Sequence, residues 1–249
     1  MTSIRQDKIK AFIEQRNVVT IAELQQLLPD VSLMTIHRDL NALASTGAIV
    51  KFRGGARSVL HEGDPEFNVR VMNNNSGKLQ IAKKAMTLIQ PRTSIFLDAS
   101  TTNLALAQSL PDISLNIFTT GPSIALELCR LHNPVITMCC GMVNRNNLSV
   151  TGQNTLEMLE KINIDLAFIG VSGCSAEAGF TCGTESDMMV KHMLIKKART
   201  SVMMCTHEKF HCLMPYTFAQ LSDVDYVISD GPIPEGFRAS AQAAGVTIL

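Results

Sequence analysis

The chain has 249 residues, 46% of them hydrophobic and 18% charged, and its 22 basic residues are balanced by 22 acidic ones. A length near ~250 suits one full core accompanied by a small second module, so one or two domains are expected. The longest apolar runs, such as Val135 to Val143, are strand-sized and broken by Gly141, well short of the roughly 20 residues of a bilayer span, which excludes a membrane partner.

The opening run Met1-Thr2-Ser3-Ile4-Arg5-Gln6-Asp7-Lys8 has neither the apolar stretch nor the small-residue cleavage site of an export signal, which points to the cytoplasm. Cys129, Cys139, Cys140, Cys174, Cys182, Cys205 and Cys212 form no C-x-x-C pair and no Cys/His cluster at zinc spacing. They read as reduced, mostly buried small hydrophobes, and no metal or cofactor is implied.

Neutrality hides an asymmetry. Residues 1–60 carry eight Lys or Arg against five acids, a net +3, and the remainder is acidic by the same amount. Ile4, Ile9, Phe12 and Ile13 recur at helical spacing, predicting a helix over Ser3 to Gln15, followed by a polar break at Arg16-Asn17. Thr20-x-x-Glu23 is a capping box opening a short helix over Ile21 to Leu28, which Pro29-Asp30 stops. Ser32 caps the next helix, in which Ile36, Leu40 and Leu43 form an apolar stripe and Gly47 is the stop.

Two short helices joined by a turn of about four residues have the helix-turn-helix layout, in which the second helix enters a DNA groove by its N-terminal half. Ala48 to Arg57, two β-prone pieces around Gly54-Gly55, reads as a wing able to track phosphate. The candidate DNA contacts are Thr20, Ser32, Met34, Thr35, His37, Arg38, Lys51, Arg53 and Arg57. A three-helix domain that docks only to protein, with Arg38 paired to Asp39 or Glu23, is the alternative on periodicity alone.

The run Val31-Ser32-x-x-Thr35-Ile36-x-Arg38-Asp39-Leu40, followed by Leu43, Gly47 and Arg53-Gly54-Gly55-Ala56, resembles the DNA-binding head of the DeoR family of bacterial regulators. One departure is His37, where the family usually has Arg; an imidazole in place of a guanidinium removes a bidentate reader of guanine.

Residues 58–76 are polar, with Glu62-Gly63-Asp64-Pro65 and Asn73-Asn74-Asn75-Ser76, and read as an irregular connection between a head over 1–57 and a body over 77–249. The body opens with a helix over Gly77 to Gln90. Strands follow at Ser94–Leu97, Leu115–Thr119, Val135–Cys140, Leu166–Val171, Ser201–Cys205, Asp225–Ser229 and Val246–Ile248. Helices lie between them at Thr102–Ser109, Pro122–Leu131, Asn154–Ile162, Ser186–Arg199 and Glu235–Ala244. The expected architecture is a winged helix-turn-helix head followed by an α/β domain on a mainly parallel sheet, whose ligand crevice lies beyond the carboxyl ends of the strands.

At the first such end, Asp98-Ala99-Ser100-Thr101-Thr102 brings hydroxyls and free backbone N–H groups to a helix start, a place suited to an anion. Later strands end in Thr119-Thr120-Gly121, Cys140-Gly141 and Gly170 to Gly173. Lys78 to Ala82, Ile95-Phe96-Leu97-Asp98-x-x-Thr101-Thr102, Asp165-x-Ala167-Phe168-x-Gly170, Glu185 to Lys191, Glu208-Lys209-Phe210 and Asp225-x-Val227-Ile228-x-Asp230 are similar to the effector domain of the same DeoR family. That resemblance implies a fold related to ribose-5-phosphate isomerase and glucosamine-6-phosphate deaminase, sensing a phosphorylated sugar or similar metabolite. Ser100, Thr120, Cys140 and Thr206 depart from the family's usual Gly, Asn, Gly and acid, and change the size or polarity of the crevice.

The candidate effector contacts are Asp98, Ser100, Thr101, Thr102, Thr120, Gly121, Gly141, Gly170, Glu185, Lys191 and Lys209. For Lys191, a solvated helix face beside Lys196 and Lys197 is the plain alternative. An isomerase needs a carboxylate base, which the related enzymes carry after the strand ending near Val171; here the first is Glu177, so the catalytic set looks absent. The expected function is a transcriptional regulator, most simply a repressor of a carbohydrate operon, binding double-stranded operator DNA as a homo-oligomer and released or engaged by a phosphorylated sugar. A sugar-phosphate enzyme is the alternative.

Overall fold

The computed structural model describes residues 4–16, 18–45, 48–52, 54–58, 66–210 and 212–249. The chain divides into two compact units, Met1–Glu62 with His211–Leu213, and Gly63–Phe210 with Met214–Leu249. No helix among the described residues is long and apolar enough to cross a membrane.

The first unit runs α1 (Ile4–Arg16), β1 (Val18–Thr20), α2 (Ile21–Leu27), α3 (Leu33–Ser45), β2 (Ile49–Phe52) and β3 (Gly55–Ser58). Ile9 and Ile13 from α1, Leu24 from α2 and Ile36, Leu40 and Leu43 from α3 close one small core. The capping box forms as its spacing predicts: Glu23 N–H donates to the Thr20 hydroxyl at 3.2 Å and Thr20 N–H donates to the Glu23 carboxylate at 2.7 Å. Ser32 Oγ accepts from Thr35 N–H at 3.3 Å and starts α3. The expected stop at Gly47 lies outside the described residues.

Strand β1 is the element the sequence pattern does not announce. It pairs antiparallel with β3, which pairs in turn with β2, so the wing is a three-stranded sheet. Three residues are too few to display alternation. The glycine pair is what admits β1: a Cβ on Gly55 would fall 2.2 Å from the Val19 carbonyl oxygen, and Gly54 turns the chain at φ +97°.

Asp39 is the buried acid of α3. Its carboxylate accepts from Arg5 Nε at 2.5 Å, from Arg5 Nη2 at 3.2 Å and from Gln6 at 3.1 Å, tying α1 to α3. Asp39 therefore pairs with Arg5, and Arg38 stays exposed on the other face of the helix.

The second unit runs α4 (Phe67–Met72), α5 (Asn75–Met86), β4 (Ser94–Leu97), α6 (Thr101–Ser109), β5 (Asn116–Thr119), α7 (Pro122–Leu128), β6 (Val135–Met138), β7 (Met142–Asn144), β8 (Ser149–Thr151), α8 (Gln153–Glu160), β9 (Ile164–Gly170), β10 (Gly173–Ser175), β11 (Gly179–Cys182), α9 (Glu185–Lys197), β12 (Ala198–Met204), β13 (Tyr216–Ala219), β14 (Tyr226–Ile228), α10 (Glu235–Ala243) and β15 (Thr247–Ile248). All seven strands expected from sequence join one parallel sheet in the order β15-β14-β12-β9-β4-β5-β6.

Both faces of this sheet are covered, as parallel sheets require. Alternate residues feed two cores: Phe96, Ala167, Ile169 and Met203 point to one, and Ile95, Leu97, Phe168 and Val202 to the other. Two additions were not legible: the hairpin β7–β8 and the antiparallel sheet β10-β11-β13. Their strands are three or four residues long, and β8 and β11 are buried throughout, so no polar alternation marks them.

The stretch 58–76, expected to be irregular, contains α4 and the start of α5. Phe67 is buried and anchors α4, and the run of asparagines supplies the left-handed cap of α5 at Asn74 (φ 47°) where an irregular connection was expected. Of the cysteines, Cys139, Cys174, Cys182 and Cys205 are buried, whereas Cys129 and Cys140 are exposed.

The Arg5 bonds hold the Asp39 carboxyl below its ordinary value of 3.8. A carboxyl depressed on folding stabilises the fold above its unfolded pKa, and that stabilisation is lost as the pH falls through the folded value. Asp39→Asn is expected to lower the melting temperature of the first unit at neutral pH. It should also flatten that unit's loss of stability between about pH 5 and 3, measured by circular dichroism.

Candidate functional site

In the head, α3 is the exposed element of the helix-turn-helix. Its inward stripe leaves Met34, His37 and Arg38 exposed and Thr35 half-buried near the helix start. Met34 is 82% exposed, an apolar side chain that the monomer leaves uncovered. The Ser32 and Thr35 hydroxyls lie 3.0 Å apart, and the Thr20 hydroxyl is engaged with Glu23, so Thr20 and Ser32 shape the helix starts as well as standing at the surface. Lys51 Nζ donates to Asn41 at 2.7 Å, linking the wing to α3. Arg57 lies on β3 opposite Val18 and Val50, and Arg53 lies outside the described residues.

In the body, the carboxyl ends of β4, β5, β9, β12 and β14 share one edge of the sheet. Asp98, just past β4, is buried with four bonds. One carboxylate oxygen accepts from Ser100 N–H at 3.0 Å and Asn103 Nδ2 at 2.8 Å, the other from Gly170 N–H at 2.9 Å and Lys191 Nζ at 2.5 Å. Lys191 also donates to the Gly170 carbonyl at 2.8 Å and has Asp187 at 3.7 Å. Its side chain is only 5% exposed, so the solvated-face alternative does not hold. Burial alone would push its ammonium pKa down, but Asp187 and Asp98 outweigh that and raise it. Asp98 and Lys191 thus bolt the ends of β4 and β9 to α9.

Upon this base sits the start of α6. Ser100 caps it, its Oγ accepting from Asn103 N–H at 3.1 Å. The first N–H groups of the helix, at Thr101 and Thr102, have no intrahelical acceptor. Neither the Thr101, the Thr102 nor the Thr120 hydroxyl makes a hydrogen bond among the described residues, although all three residues are largely buried. Gly170 is obligatory, because a Cβ there would fall 2.2 Å from that of Ser100.

Around this point, Thr119 Oγ1 accepts from Gly121 N–H at 2.9 Å and donates to the Leu97 carbonyl, shaping the neighbouring β5–α7 loop. Gly141 lies in the turn after β6, where a Cβ would meet Thr155 Oγ1 at 2.3 Å, which makes its role packing. Glu185 opens α9 and is exposed, and Lys209 is half-buried in the short 3-10 turn His207–Lys209 after β12.

Sequence reasoning missed two features of this edge. Asn103 is fully buried, and its Oδ1 has no hydrogen-bond partner among the described residues while its amide NH2 donates to Asp98 and the Phe168 carbonyl. His207, Asp230 and Asn74 form a bonded cluster at the ends of β12 and β14. Asp230 stood in the family-like pattern, but no spacing links it to a histidine 23 residues earlier.

A helix-turn-helix head joined to a parallel-sheet domain with a hydroxyl-lined crevice defines a DNA-binding regulator with a sensor domain. Residues 5–62 match the DeoR-like helix-turn-helix domain and residues 73–231 the DeoR C terminal sensor domain, and the chain belongs to the DeoR family of transcriptional regulators. It is 33% identical to the HTH-type transcriptional regulator GolR of Listeria innocua over 98% of this chain and 96% of that one. It is 30% identical to the HTH-type transcriptional repressor GlcR of Bacillus subtilis over 96% and 92%. A glycerol-3-phosphate regulon repressor of Haemophilus influenzae is 29% identical over 94% and 91%.

Ribose 5-phosphate isomerase A from Methanocaldococcus jannaschii is similar over 55% of each chain (TM-score 0.41, 15% identity). So is eIF2B delta from Chaetomium thermophilum, over 67% of this chain and 60% of that one (TM-score 0.47, 12% identity). These likenesses say nothing of the chemistry of this chain, whose family and relatives are regulators and not enzymes.

Removing one partner of a buried ion pair leaves the other charge uncompensated, at ~3–5 kcal/mol. Lys191→Met is therefore expected to destabilise the sensor domain by about that amount in urea denaturation, whereas Lys196→Met, on an exposed position of the same helix, should leave it within ~0.5 kcal/mol.

Proposed function

We propose that this regulator is a repressor of a carbohydrate catabolism operon whose grip on operator DNA is set by a phosphorylated sugar, or a closely similar metabolite, bound at the carboxyl edge of its sheet. The observation that carries the reading is the start of α6, where two N–H groups lack an intrahelical acceptor and the hydroxyls of Thr101, Thr102 and Thr120 make no hydrogen bond among the described residues. A phosphate dianion satisfies all of these at once, and the positive end of the helix favours it.

In this reading Ser100, Thr101, Thr102, Thr120 and Gly121 touch the phosphate, while Asp98, Gly170 and Lys191 keep the loops in place. Glu185 and Lys209 stand farther out as contacts for the rest of the ligand, and Gly141 bounds the crevice. The repressors of B. subtilis and H. influenzae named above support the sense of regulation and the second supports the class of ligand.

On the DNA side, Met34, Thr35, His37 and Arg38 are the proposed readers of the major groove, with Ser32, Thr20, Lys51, Arg53 and Arg57 tracking phosphates. A single head of this size reads few bases, so the protein acts as a homo-oligomer on half-sites about one helical turn apart or a multiple of it. Ligand control requires different affinities for the DNA-competent and incompetent states; a tenfold shift takes about 1.4 kcal/mol of difference.

Arg38→Ala is expected to weaken operator binding at least about tenfold in gel-shift titration, with the melting profile unchanged; equal affinity would remove α3 as the reader. Thr101→Val deletes one hydroxyl at the phosphate position and should weaken effector binding by about 1 kcal/mol or more in calorimetry, with operator affinity in the absence of ligand intact.

A further inference from the structure

His207 follows β12 at the same edge of the sheet, and its side chain is 45% exposed while its Nδ1 is engaged by Asp230. Nδ1 lies 3.0 Å from Asp230 Oδ2, and the His207 backbone N–H donates to Asp230 Oδ1 at 2.7 Å. Asn74 Nδ2 donates to the same carboxylate at 2.9 Å from a left-handed backbone (φ 47°). Two glycines make the room. A Cβ on Gly77 would fall 2.1 Å from Asp230 Oδ2, and a Cβ on Gly231 would lie 3.0–3.2 Å from the His207 side chain.

Asp230 is buried, which pushes its carboxyl pKa up, but the bonds from Asn74 and from the His207 backbone and ring prevail and hold it below its ordinary value. It is ionised at neutral pH and can only accept. Nδ1 therefore carries the proton, and in the neutral ring Nε2 is left as a bare acceptor. Nε2 makes no hydrogen bond among the described residues.

We propose that His207 is a ligand contact of the sensor, its Nε2 accepting a hydrogen bond from a hydroxyl of the effector's polyol chain, with Asp230 as the positioning residue that fixes the tautomer. This rests on the crevice reading above and narrows the class of ligand. Strand β12 is two strands from β4 in the sheet. At ~4.8 Å per strand, the two ends are about 10 Å apart, which suits a phosphate at α6 and a hydroxyl near the far end of an open five- or six-carbon chain.

The tautomer is tested without ligand, by two-bond proton–nitrogen spectra of the full chain labelled at histidine. The His207 signal, assigned by its loss in His207→Ala, should show the proton on Nδ1; a proton on Nε2 in the neutral ring overturns the proposal. Binding is tested by calorimetry with a panel of phosphorylated three- to six-carbon sugars, sugar alcohols and sugar acids.

For the five- and six-carbon members that bind the wild-type chain, His207→Ala and His207→Phe should each weaken affinity about three- to tenfold. His207→Gln, whose amide oxygen can accept in place of Nε2, should recover most of it, and melting temperatures should stay equal. Unchanged affinity in the Ala and Phe variants, with Thr101→Val weakened, overturns the His207 contact and leaves the phosphate site standing. A panel in which nothing binds the wild-type chain overturns both.

Discussion

The sensor domain is organised around one buried ion pair. Lys191, projecting from α9, reaches the Asp98 carboxylate at the end of β4 and the carbonyl of Gly170 at the end of β9, while Gly170 returns its N–H to the same carboxylate. Two adjacent strands and a helix are joined at one point. Such a pair is costly to desolvate and persists where its charges are fully hydrogen-bonded; here each Asp98 oxygen accepts twice. The consequence lies above it. Ser100 and the first turn of α6 are set in register with β9, and the hydroxyls of Thr101 and Thr102 make no hydrogen bond among the described residues.

That arrangement separates support from contact. The buried charges at the ends of β4 and β9 are paired with one another, so in the proposed site discrimination among ligands would fall to hydroxyls, backbone N–H groups and groups farther along the edge. In the head the same logic recurs on a smaller scale: Asp39 is taken by Arg5, and Arg38 stays exposed on α3.

Much of this was open to reading from residue order. The capping box at Thr20 and Glu23, the apolar stripe of Ile36, Leu40 and Leu43, and seven largely apolar strands of three to six residues each carry their own local signature, and the helices between the strands fall within a few residues of their expected bounds. Elements without a period of their own escaped: β1, the β7–β8 hairpin, the β10-β11-β13 sheet, and α4 with the left-handed cap of α5. For the site, hydroxyls and glycines at strand ends were visible because the ends of parallel strands converge in any such sheet. Lys191 was not separable from its neighbours Lys196 and Lys197, since all three sit on one helix and only packing tells which is covered.

Amino-acid order alone thus determined the two-part plan, the parallel-sheet class, the helix-turn-helix and the hydroxyl-bearing turn after β4, because each depends on periodicity and capping within a dozen residues. Tertiary structure alone decided the pairings: Asp98 with Lys191, 93 residues away, His207 with Asp230, and Asn103 with an oxygen left unpaired. Strand order chooses which loop ends meet, and a local pattern that specifies a strand carries no information about which strand will lie beside it.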